Sequence, residues 1–169
     1  DTLDYMTRGV QAGDLFVVAA RPGFGKSTFG LNVAAHAAIH QEHGVLFFSL
    51  EMDAGKLWQR VIAAETKVDM YRMEQKQGLK REDFSRIATQ TGIMQQSKLR
   101  FIDKPGMSLY QIRAACRAYC RNHDIKLVVV DYLQLVNVPG FRGKRNEEVA
   151  LISTSLKALA RELGVGFLV

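Results

Sequence analysis

The chain has little of what marks a secreted or membrane-bound protein. Only two cysteines occur among its 169 residues. Cys116 and Cys120 stand four apart inside a helical pattern, so a disulfide framework is not indicated, and two packed or half-exposed thiols are the plainer reading. No apolar run approaches the roughly 18 residues of a membrane span, and the N-terminus lacks the basic-then-apolar layout of a secretory leader. The expectation is a cytoplasmic protein with no membrane association. Three prolines, no internal repeat and no low-complexity stretch give no sign of a linker, so the length fits one domain over residues 1–169. Hydrophobic residues make up 47% and charged ones 24%, enough apolar matter for a real core. The net charge of +6 permits a polyanionic partner without demanding one.

What is present starts with Ala20-Arg21-Pro22-Gly23-Phe24-Gly25-Lys26-Ser27-Thr28, set between an apolar run and a helical pattern. A strand-to-helix turn that points several backbone N–H groups at one anion must keep side chains out of the way, and Gly23 and Gly25 do so. Lys26 would neutralise the β and γ phosphates, and the Ser27 hydroxyl would ligate Mg²⁺ at the helix start. The usual pattern is G-x-x-x-x-G-K-[ST], and its first glycine is here Ala20. The loop as a whole, Ala20 to Thr28, is the expected nucleotide site.

The rest of the chain alternates strand and helix. Leu15 to Ala19 reads as a strand covered on both faces. Ser27 to about His43 reads as a helix with Phe29, Val33 and Ala37 on one stripe and Ala34, Ala35 and Ala38 allowing close approach to the sheet, ended by Gly44. His36 and His40 share a face at a spacing that could bind zinc, but a solvated pair is the better reading because no Glu follows His36. Val45 to Leu50 is a second buried strand that delivers Glu51 to the edge where a parallel sheet binds ligands. Glu51 could orient and deprotonate an attacking water, or it could help to start the next helix, for which Asp53 is the stronger cap. Helices are expected from about Ala54 to Glu65 and from Glu82 to about Met94, the latter with Phe84, Ile87, Ala88 and Thr91 on one side. Arg72, Lys76, Lys80, Arg81 and Arg86 look like a solvated face.

Leu99 to Asp103 is a short strand, and Ser108 caps a helix running to about Asn122. Ile125 to Val130 closes on Asp131, the Walker B pattern, in which the carboxylate supports Mg²⁺. Asn137 to Arg145 is a Gly- and Pro-containing loop whose Arg142, Lys144 and Arg145 are candidate contacts to nucleic-acid phosphates. Asn146 is expected to cap a helix to Leu163, ended by Gly164, with a further strand from Val165. This order points to an α/β fold: a mostly parallel twisted sheet with helices on both faces.

Five strings occur together in one order: Thr7-Arg8-Gly9, Ala19-Ala20-Arg21-Pro22, Phe48-Ser49-Leu50-Glu51-Met52, Asp131-Tyr132-Leu133-Gln134-Leu135 and Ser155-Leu156-Lys157-Ala158-Leu159-Ala160. They resemble the motor domain of the DnaB-type replicative DNA helicases, in which the first loop position is also Ala. The resemblance implies a C-terminal RecA-like P-loop NTPase core that assembles as a homohexameric ring and binds ATP with Mg²⁺ between subunits. It implies translocation on single-stranded DNA with duplex unwinding, and a helicase loader and primase as further partners. By position, Lys26 and Ser27 would bind phosphate and Mg²⁺, Asp131 would support the metal, and Glu51 would be the catalytic base. The family's amino-terminal domain and linker helix would precede Asp1, and its γ-phosphate sensor, main DNA-binding loop and arginine finger would follow Val169. Gly166 stands where the family pattern has Pro. Two other functions share the loop, Glu51 and Asp131: a RecA-like ATPase that uses nucleotide as an assembly switch, and a nucleotide-binding fragment without turnover.

Overall fold

Five parallel strands form the centre of the fold in a computed structural model that describes residues 8–21, 23–75 and 78–169. Thr7, Pro22 and Lys76 lie outside the described residues. The strands are β1 (Leu15–Phe16), β2 (Gly44–Ser49), β3 (Leu99–Ile102), β4 (Ile125–Asp131) and β5 (Gly166–Leu168), ordered β1-β5-β4-β2-β3 across the sheet. Six α-helices connect them in the described residues: α1 (Lys26–Ala35), α2 (Ala54–Thr66), α3 (Met70–Gln75), α4 (Arg81–Gln96), α5 (Leu109–Asn122) and α6 (Arg145–Leu163).

The central strands are apolar without alternation because both faces are covered. Val45, Phe47 and Val129 point to one side, where Leu31, Ala34 and Ala38 of the first helical segment and Leu57 and Val61 of α2 meet them. Leu46, Phe48, Val128 and Val130 point to the other, against Ile112 and Cys116 of α5 and Ile152 and Leu156 of α6. Phe47 and Phe48 are both wholly buried, and each such side chain contributes roughly 1.5–3 kcal/mol. Register between β2 and β4 runs to Ser49↔Asp131, so the two strands end level. Asp53 caps α2 by accepting from the Lys56 N–H at 3.0 Å, and Ser108 caps α5 from the Gln111 N–H at 3.3 Å, as their positions predict.

Several boundaries differ from the sequence reading. The run from Leu15 to Ala19 is not covered on both faces: among the described residues β1 is an edge strand with only β5 beside it, and Val17 is 62% exposed. In the helix after the phosphate loop Phe29 is 41% exposed, whereas Ala34, Ala35 and Ala38 are buried against the sheet as expected, together with Gly30. The helix continues as one π-helical turn, His36–His40. Gly44 does not end it but opens β2, where a Cβ would collide with the Asp124 carbonyl. A Cβ on Gly166 would meet the Val10 side chain, a close approach of the residues before β1 to β5. Helix α6 starts at Arg145, not after Asn146: Lys144 is its cap residue, and its N–H donates to Glu147 Oε2 at 3.0 Å.

The largest difference lies in α3 and α4. Phe84 is 55% exposed and the adjacent Asp83 only 3%. Asp83 accepts from the Lys80 N–H at 2.9 Å and pairs with Arg72 at 2.9 Å and Arg86 at 2.6 Å. Arg86 also donates to the Thr66 carbonyl at the end of α2, 3.2 Å away. Two of the cations read as a solvated face therefore clasp one buried acid and join three helices.

Candidate functional site

The carboxyl ends of the strands open into a cleft of about 680 Å³, a size typical of small-molecule sites. Ala20, Gly23, Gly25, Lys26, Ser27 and Thr28 line it, facing Glu51, Arg60, Asp131, Tyr132 and Gln134. Gly23 and Gly25 adopt φ of 82° and 81°, in the left-handed region that other residues rarely enter. Gly25 is the N-cap of α1, whose first turn carries no acidic residue to compete with a bound anion. Arg21 and Phe24 do not line the cleft: Phe24 is 77% exposed, and its N–H closes a turn on the Arg21 carbonyl at 3.2 Å. They shape the loop from outside.

Three of the expected groups converge. Lys26 Nζ donates to the Ala20 carbonyl at 3.1 Å and lies 5.9 Å from the centre of the Tyr132 ring. Ser27 Oγ donates to Asp131 Oδ1 at 3.1 Å. That contact puts two hard oxygen donors side by side at the helix start, a donor set that fits Mg²⁺, which takes one or two protein oxygens and completes its shell with phosphate and water. Burial pushes the Asp131 carboxyl above its ordinary value, the Ser27 hydrogen bond opposes this, and the Glu51 charge adds to the rise. A divalent cation would relieve both penalties.

Glu51 stands on a turn built by its neighbours. Ser49, 1% exposed, donates from Oγ to the Met52 carbonyl at 2.6 Å and accepts the Met52 N–H at 3.2 Å. The Leu50 N–H donates to the Asp131 carbonyl at 2.9 Å. The turn is thus pinned to β4, and exposed Glu51 is presented at the cleft with Asp131 rather than in the helix that Asp53 caps.

The three cations after β4 part company. Arg142 and Lys144 are exposed. Arg145 is engaged within the chain: its guanidinium donates to the carbonyls of Gln134 at 2.6 Å and Val136 at 3.0 Å and pairs with Glu148. The other oxygen of Glu148 accepts the Val138 N–H at 2.7 Å. Arg145 is a clasp on its own loop, which removes it from the candidate nucleic-acid contacts.

Sequence reasoning missed Arg60, which belongs to no motif and reaches the cleft only because α2 follows Glu51. It also missed the role of Ser49. His40, read as solvated, makes a 3.0 Å contact with Glu65 across to α2, and its ring lies 5.2 Å from that of His36.

Among the described residues no helix is long and apolar enough to cross a membrane. The family profile of the DnaB-like helicase C terminal domain matches residues 1–169. The replicative DNA helicase DnaB of Pasteurella multocida is 42% identical over 167 residues, which is 98% of this chain and 36% of that protein. The replicative DNA helicase DnaC of Bacillus subtilis is 38% identical over 164 residues, again 36% of its length. The chain therefore spans about a third of the curated relatives it matches. Two solved structures superpose with a TM-score of 0.91 at 28% identity over 99% of this chain. One is a DnaB-like replicative helicase described with its interactions with primase, 40% of which is covered, and the other is the ATPase domain of a second protein, 60% covered. The parallel sheet, the loop at its carboxyl edge and these matches agree on a RecA-like core, and the chain belongs to the DnaB-like helicase C-terminal domain family.

Proposed function

We propose that this chain is the ATP-hydrolysing motor unit of a replicative DNA helicase, coupling hydrolysis to translocation on single-stranded DNA and unwinding of the duplex. The observation that carries the reading is the contact of Ser27 with Asp131 at 3.1 Å directly below a glycine-shaped loop, with Glu51 lining the same cleft. In this reading the loop N–H groups and Lys26 hold the phosphates. Ser27 and Asp131 hold Mg²⁺, which supplies charge neutralisation on the phosphate oxygens. Glu51 orients a water toward the γ-phosphorus and accepts its proton as the P–O bond to ADP breaks. Arg142 and Lys144 contact phosphates of the strand, and the full-length protein acts as a six-membered ring that meets a loader and a primase. Family membership favours this reading over an assembly switch of the recombinase type.

Calorimetry tests the site. Lys26→Ala is expected to abolish binding of ADP and of a non-hydrolysable ATP analogue to the chain, and a variant that binds both as tightly as the parent sinks the assignment. In the full-length protein, Glu51→Gln is expected to leave binding near normal and slow hydrolysis by ~10²-fold or more, the scale of a lost positioned base. Equal turnover would return Glu51 to a structural role.

A further inference from the structure

Arg60 is the one cation in the cleft that is neither part of the phosphate loop nor hydrogen-bonded or ion-paired to another group among the described residues. Several other cations are engaged within the fold. Arg72 and Arg86 clasp Asp83, Arg117 pairs with Glu162, Arg145 holds its loop, and Lys26 is bonded to the Ala20 carbonyl. Arg60 is half-buried on α2, the helix that leaves the carboxyl end of β2 just after Glu51. Helical side chains lean toward the N-terminus of their helix, so a long residue on this face reaches back toward Glu51 and the strand ends. Its charge acts on Asp131, where it opposes the effect of burial.

A guanidinium that makes no ion pair among the described residues and lines one cleft with an anion loop has the donor fork that fits phosphate oxygens. Lys26 and the helix N-terminus serve the phosphates nearest the loop. Glu51 marks the far side of the cleft, where the terminal phosphate and the attacking water would meet. We infer that Arg60 binds the terminal phosphate of a nucleoside triphosphate from within the same subunit, so that the cleft favours tri- over diphosphate. The inference rests on the reading of the cleft as a nucleotide site.

The test compares ADP with the non-hydrolysable triphosphate AMP-PNP, both with Mg²⁺, by calorimetry on the parent chain, Arg60→Ala and Arg60→Gln, the last keeping most of the aliphatic stem. AMP-PNP affinity is expected to fall by roughly tenfold or more in both variants, while ADP affinity stays within about twofold, the gap expected of one lost charge-assisted contact. Arg60→Lys should recover part of the loss. Retained ADP affinity also reports that the variant is folded. Parallel losses for both nucleotides, or no loss for either, would overturn the role of Arg60. A parent chain that binds neither nucleotide overturns the nucleotide site itself, and that result is distinct because no variant is needed to see it.

Discussion

Arg142 and Lys144 stand exposed on the loop before α6, and among the described residues no ion pair engages either side chain, whereas Arg145 is fastened to Gln134, Val136 and Glu148. The two groups of cations should therefore answer different experiments. In the full-length protein, replacing Arg142 and Lys144 by alanine is expected to weaken single-stranded DNA binding and flatten its salt dependence by roughly 0.7 of a unit per charge removed. Arg145→Ala should instead loosen the segment from Gln134 to Val138 and lower the melting temperature of the chain itself. Superimposable salt slopes for the parent and the double variant would exclude the loop from DNA contact, and an unshifted melting temperature would exclude the clasp. Lys26, Ser27 and Asp131 were legible because local spacing defines them. Arg145 was not, because its charge looks the same in a string of basic residues whether it meets DNA or carbonyls that only the fold brings near.

The joining of α2, α3 and α4 by a single buried acid makes that region sensitive to acid. The Lys80 N–H, with Arg72 and Arg86 beside it, holds the Asp83 carboxyl below its ordinary value of 3.8 against the opposing effect of burial. A lowered folded-state value means stability that is fully present above about pH 4 and lost as pH falls through the lowered value. Unfolding free energy measured from pH 6 downward should fall below pH 4 in the parent, and Asp83→Asn should start lower and show a shallower decline. Identical pH profiles would deny Asp83 this part. The strands and the capped starts of α2 and α5 could be read in advance, since each is decided by its own residues. The inward face of α4 could not: Phe84 draws a periodicity reading toward itself, while burial of Asp83 depends on two arginines, one of them on another helix.

Across the whole molecule, attachment of the phosphate loop is lopsided. Its helix packs on the central strands, but its strand is held at the sheet edge by β5 and by Lys157, which donates to the Gly13 carbonyl at 2.8 Å and to Asp14 Oδ1 at 3.1 Å. Lys157→Met is expected to speed amide hydrogen exchange at Val18, which donates to Val169 at 2.8 Å, without changing exchange at Val129 in the central strand. Equal protection in parent and variant would show that β5 alone secures the edge. The strand order could not be read from the alternation of elements, because each segment states its own period and not its neighbour. That order also sets a timetable. Leu15 pairs with Phe167, and Phe16 with Leu168, so a ribosome adding roughly 5–20 residues per second makes the first partner on the order of ten to thirty seconds before the second. Throughout that interval the apolar run ahead of Lys26 lacks the strand it is paired with in the folded chain. The strand that leads into the phosphate loop is thus made early and paired only after β5 exists, and the edge of the nucleotide cleft is completed no sooner than that.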